Sequence, residues 1–171
     1  MDKALRELVD RQEIHDVVHR YCRGIDRLDM NLVRSAYHRD GVDHHTSFSG
    51  VVDDFIAWVE PALRALDGTM HRIGNHLAEI RGDGAVVETY GAASHWGSPT
   101  DDPRRNFTSG FRYVDWMERR DGRWAIAERF AVREWAHSDA GRFVTLGQPG
   151  PRPQRNHNDP VFVLHERLGS Q

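Results

Sequence analysis

Apolar residues in the first part of the chain fall at helical intervals. Ile14, Val17, Val18, Tyr21, Cys22 and Ile25 recur at steps of three and four, which places them along one stripe of a helix. Leu5, Leu8 and Val9 carry a similar stripe upstream. Asp26 lies four residues past Cys22, so a helix that continues this far holds a carboxylate at the edge of its buried face. Asp29 reads as the N-cap of a short second helix through Leu32, Val33, Ala36 and Tyr37, ending near Gly41. Asp53 or Asp54 caps a third helix carrying Phe55, Ile56, Val59, Leu63 and Leu66, which Pro61 is expected to kink or restart.

After Gly68 the pattern changes to strand-length segments separated by turn chemistry. Residues 70–80, 85–97, 107–119 and 123–135 alternate with RGDG, a polar PTDDPRRN loop and RDGR, which predicts a four-strand meander. Residues 42–48 read either as a further short strand or as loop. From Ser138 onward, GQPGPRPQRNHNDP is too rich in Pro, Gly and Asn for regular structure, so residues 138–171 are expected to form an irregular tail of one domain spanning 1–171. Helices followed by strands define an α+β fold. The expected architecture is a curved, cone-shaped antiparallel sheet packed against N-terminal helices, with a small-molecule pocket in its mouth.

Composition narrows the function. A net charge of -3 offers no surplus to hold nucleic acid or an anionic membrane. The single cysteine, Cys22, excludes an internal disulfide and a cysteine-built zinc site, and it fits a reducing, cytoplasmic setting. The N-terminus alternates charged and apolar residues rather than presenting the uninterrupted apolar run of a leader, and no stretch reaches membrane-spanning length. GDGAVVE and RDGRW are turns rather than phosphate cradles, so no nucleotide cofactor is expected. Asp43, His44, His71, His76 and His95 include metal-ligand residue types but lack a metal-binding spacing, so no metal is expected either.

Polar groups stand where the pattern calls for apolar ones: Tyr21 and Asp26 on the first helix, His44 and His45 after it, and His71, His76, His95, Tyr113 and Arg133 on strands. A histidine beside a carboxylate transfers protons well, because the carboxylate accepts one ring N–H, fixes the tautomer and leaves the other nitrogen basic. Asp26 and His71 form a candidate pair, although a helix-end Asp taken alone is more often a cap or ion-pair partner. Tyr21, Tyr113 or His95 is a candidate donor to a departing or developing oxygen, and Arg133 a candidate to orient an anionic group. His44 and His45 are adjacent, so in a strand only one of them faces a pocket. His15, His19, His38, His137, His157 and His165 read as surface residues. The tryptophans read mostly as core, with Trp96, Tyr113 and Trp135 nearest a pocket.

Tyr21 and Asp26 at the end of the first helix, the strand opening HRIGNH, and the late run RYVDWMERRDGRWAIAERF together resemble the SnoaL-like branch of the nuclear transport factor 2 superfamily, over about residues 5–135. Within it the motifs are similar to those of scytalone dehydratase, bile acid 7α-dehydratase and hexachlorocyclohexane dehydrochlorinase, lyases that eliminate HX across a carbon–carbon bond without a cofactor. The resemblance implies a His/Asp dyad at His71 and Asp26, a second pocket histidine near His95, and a tyrosine and arginine at Tyr21 and Arg133. It also implies a small-molecule substrate and a homo-oligomer, with a trimer favoured over a dimer. Departures limit the transfer: Phe111 and Tyr113 stand where a serine and an asparagine would be, His44 replaces a tyrosine, and Ser94 replaces an acidic residue. The implied chemistry is dehydratase-like elimination, or isomerisation, which shares its first step. The same branch includes non-catalytic ligand-binding domains and the β subunits of ring-hydroxylating dioxygenases.

Overall fold

The computed structural model describes residues 2–97, 106–138 and 155–158. Its elements run α1 (Lys3–Arg27), α2 (Met30–Ser35), β1 (Tyr37–His45), β2 (Phe48–Val51), α3 (Val52–Arg64), β3 (Gly68–Arg81), β4 (Gly84–Trp96), β5 (Phe107–Arg120) and β6 (Arg123–Ser138). The polar PTDDPRRN loop, apart from Asn106, and most of the expected tail lie outside the described residues.

The helices cover one face of a six-stranded sheet ordered β2-β1-β6-β5-β4-β3. The meander of β3 to β6 is antiparallel throughout, as its turn chemistry predicts. The sheet as a whole is mixed rather than antiparallel, because β1 runs parallel to β6 and β2 then folds back antiparallel on β1. The 42–48 segment resolves into the end of β1, a turn in which Thr46 has φ 49, and the start of β2.

The first helix buries Ile14, Val17, Val18, Tyr21, Cys22 and Ile25, the stripe read from the sequence. Leu5 and Leu8 depart from it: they are 50% and 65% exposed, on the first turns of the helix, which precede the point where Asp10 is tied to Arg119 and Trp124. The helix ends at Arg27 with Leu28 in the left-handed region, which leaves Asp26 in the last turn, 8% exposed. Asp29 caps α2 by accepting from the Leu32 N–H, but α2 stops at Ser35 and Tyr37 begins β1. Helical spacing from Val33 favours Tyr37 in the helix; pairing with Ile126 of β6 wins. Neither Asp53 nor Asp54 caps α3, whose N-cap is Val51; both sit in the first turn, where carboxylates suit the helix dipole, and the helix runs through Pro61 to Arg64. Gly24 lets α2 close on α1, since a Cβ there would sit 2.7 Å from Val33 Cγ2.

Bulges decide which side chains face inward. Strand β3 carries one more residue than β4 between the pairs Ile73↔Gly91 and His76↔Thr89. This lets His71 and His76, five apart, both face the helices. Between Ile126 and Glu128 of β6, Ala127 is the extra residue, and the inward set moves from Trp124 and Ile126 to Arg129, Ala131 and Arg133. Of the five tryptophans only Trp124 is core; Trp58, Trp116 and Trp135 are 40–53% exposed, contrary to the expectation of a mostly buried set.

Candidate active site

The end of α1 meets the start of β3 at a hydrogen-bonded pair. His71 Nδ1 lies 2.7 Å from Asp26 Oδ1, and the His71 backbone N–H donates to Asp26 Oδ2 at 2.9 Å. The side chains are 7% and 11% exposed. A carboxylate at Nδ1 accepts the ring proton there and leaves Nε2 with its lone pair, the tautomer a base requires. His71 lines an interior cavity of about 90 Å³ whose wall includes His45, His95, Phe107, Phe111, Tyr113 and Arg133. It also borders a wider, more open groove of about 470 Å³ lined by His19, Cys22, Arg23, Asp26, Arg27 and Ile73. The smaller cavity is the better chemical site, because it is the less open of the two and gathers aromatic rings and several polar side chains around one space.

His95 projects into the cavity from β4, its ring centroid 6.2 Å from that of His71 and its face stacked on Phe107 at 4.4 Å. Burial, reinforced by His71, lowers its pKa to about 4, so it is neutral at neutral pH. Phe111 and Tyr113 pack against each other at 4.3 Å. Burial pushes the Tyr113 phenol well up, which keeps it a protonated donor. Gly91 makes room for Phe111: a Cβ there would meet the ring at 2.5 Å. Arg133 stands exposed at the rim.

The structure gathers Asp26, His71, His95, Tyr113 and Arg133, and it places the other candidates elsewhere. Tyr21 is 1% exposed and does not line the cavity; its ring covers the Arg129 guanidinium at 4.3 Å. His44 faces the outer side of the sheet, bonded to Ser49 and Glu128 and stacked on Phe130. Its neighbour His45 is the one at the cavity. Trp96, next to His95 on a strand, points the opposite way and lies over Gly68. Trp135 lies over Gly110 and is likewise absent from the cavity wall. His38, read as a surface residue, is 4% exposed and bonds the Glu118 carbonyl; His165 lies outside the described residues.

Beneath the cavity lies a polar network that sequence reasoning missed. Arg129, fully buried, makes two 2.7 Å hydrogen bonds to Asp115, and its guanidinium is sandwiched between Tyr113 at 4.0 Å and Tyr21. Tyr37 donates to Asp43 at 2.5 Å. The available signal was the Asp43 and His45 spacing of two, which puts both on one strand face.

A second histidine group, away from the cavity, bears on stability. His76 bonds Thr89, its ring 5.0 Å from that of His15, which lies 4.1 Å from that of His19. Burial, then His15 and His19, lowers the His76 pKa to about 4. The unfolded chain takes up a proton near pH 6.5 that the folded one refuses until about pH 4. Stability is therefore unaffected by this group above 6.5, falls as pH drops between those values, and loses nothing more to it below them. Denaturant midpoints measured from about pH 7.5 to about pH 4 should fall, and less steeply in His76→Gln. An equal fall in both proteins would clear His76 of any part in it.

The SnoaL-like domain model matches residues 6–130, and the chain belongs to that family, within the nuclear transport factor 2-like superfamily. Among solved structures it is similar to a Novosphingobium barchaimii hexachlorocyclohexane dehydrochlorinase, LinA-type3 (TM-score 0.74, 16% identity, 84% of this chain and 99% of that one). It is also similar to Kfla4162 of Kribbella flavida (0.70, 20%, 77% and 95%) and to a scytalone dehydratase-like protein of Novosphingobium aromaticivorans (0.69, 18%, 84% and 97%). At such identities these likenesses establish the fold. No curated protein matches the sequence. No helix among the described residues is long and apolar enough to cross a membrane.

Proposed function

We propose that the chain is a cofactor-independent lyase, dehydratase-like, or an isomerase, acting on a small hydrophobic, cyclic oxygenated substrate. The observation that carries this reading is the 2.7 Å Asp26–His71 pair at the wall of a small cavity. His71 Nε2 removes a proton from a carbon acidified by a neighbouring carbonyl, and Asp26 holds the ring and offsets the imidazolium charge that forms. Neutral His95 hydrogen-bonds the oxygen on which negative charge collects, and Arg133 orients an anionic substituent at the rim. A cavity of about 90 Å³ suits a single small ring. The family resemblance and the dehydrochlorinase and dehydratase-like neighbours support the same chemistry.

The test is incubation with a panel of small cyclic hydroxyketones in D₂O. Deuterium entering beside the carbonyl reports proton abstraction, and enone formation reports elimination. Migration of a double bond without loss of water would assign isomerisation. Failure of every ketone to exchange above background would remove the catalytic reading and leave a non-catalytic ligand-binding domain or a small structural subunit.

Cytoplasmic operation as a homo-oligomer, a trimer first and a dimer second, is part of the proposal. Supporting self-association, Val86, Trp116 and Phe130 are 43–47% exposed on the sheet face opposite the helices. Sedimentation is expected to give a trimer mass, and a monomer at micromolar concentration would refute self-association.

A further inference from the structure

The cavity has a second histidine–carboxylate arrangement, carried by β1. Asp43 is fully buried, and its Oδ2 accepts from Tyr37 at 2.5 Å. Asp43 Oδ1 lies 3.5 Å from His45 Nδ1, and both atoms are buried with no hydrogen-bond partner among the described residues. Two unsatisfied groups of opposite need, facing each other just beyond bonding length, form the kind of contact that tightens when a ligand enters. His45 packs near Phe55 and Trp58 and lines the same cavity as His71.

From this juxtaposition we infer that His45 is the proton donor to the leaving group, with Asp43 and Tyr37 as its positioning residues. The assignment rests on the lyase reading of the same cavity. Asp43 accepts the Nδ1–H, which leaves the second ring nitrogen to carry the proton that is given away. In the elimination, His71 takes the proton from carbon, the electron pair of that C–H bond becomes the new C=C bond, and the C–O bond breaks with its pair going to oxygen. His45 protonates that oxygen as it leaves, so water is released. His71 then holds one extra proton and His45 lacks one, and exchange with solvent restores both. Two of the rival donors are less suited. Tyr21 is sealed in the core, and His95, neutral and pressed flat on Phe107, serves better as a hydrogen-bond donor to the substrate oxygen.

The experiment compares wild type, His45→Gln and His71→Ala on 3-hydroxycyclohexanone in D₂O, following deuterium exchange beside the carbonyl and cyclohexenone formation separately. A 3-chloro analogue, corrected for spontaneous loss, supplies a leaving group that needs no proton. His45→Gln is expected to lower the ratio of dehydration to exchange by about 100-fold, and chloride elimination by at least tenfold less than dehydration. Equal loss of exchange, dehydration and chloride elimination would overturn the donor role, as would no loss at all. Exchange and dehydration unchanged in His71→Ala would instead overturn the lyase reading, as would an inert wild type, and the donor role would fall with it. Nitrogen NMR of ring-labelled histidine gives a readout independent of turnover: the His45 Nδ1–H signal should shift in Asp43→Asn while that of His71 stays. A His45 ring protonated only at Nε2 would also overturn the assignment.

Discussion

Replacing His71 with asparagine is expected to cut turnover of any confirmed substrate by about 10²- to 10⁴-fold, the range a positioned general base contributes. The loss should fall on kcat more than on KM, because the ring acts on the proton in flight rather than on the bound ground state. Asp26→Asn should lose activity to a similar order, since an amide can donate to Nδ1 and favour the wrong tautomer. The two aspartate variants separate chemistry from folding. Asparagine retains an oxygen for the His71 backbone N–H, whereas Asp26→Ala strands that buried donor and should destabilise by a further ~1–3 kcal/mol. Steady-state kinetics beside urea denaturation of the same proteins reads both effects. A His71→Asn protein with unchanged kcat would end the base assignment.

The largest stability effect is expected at Arg129. Arg129→Met leaves Asp115 buried and unpaired, which should cost about 3–5 kcal/mol. Asp115→Leu alone should cost a comparable amount by stranding the guanidinium between Tyr113 and Tyr21. The double replacement removes both charges and should recover much of the loss, because two charges taken from water return little net stability. Urea midpoints for the four proteins close this cycle, and additive losses in the double variant would show the pair uncoupled.

Much of this architecture is legible in the order of residues. The α1 stripe, the Asp29 cap, the meander and the Asp26–His71 pair all follow from period, turn chemistry and motif. What escaped has a common cause in single-residue shifts of phase. The extra residues in β3 and β6 reverse which side chains face inward, and strand alternation alone cannot locate them. For the same reason His44 looked as good as His45, and Trp96 as good as His95, until the pairing was known. Tyr21 satisfied the helical stripe so well that it is buried outright, out of reach of a substrate. Arg129 was hidden because a charge amid apolar alternation reads as solvent-facing unless its partner on the next strand is known.

The carboxylate at the end of α1 also acts on the edge of the sheet. Among the described residues β3 is the outermost strand on its side, so backbone donors directed away from β4 meet no neighbouring strand there. Asp26 answers one of these vacancies at His71 and so fastens the sheet's margin to the helix. Slow deuteration of that one amide would therefore report, with no ligand added, whether the Asp26–His71 pair is assembled.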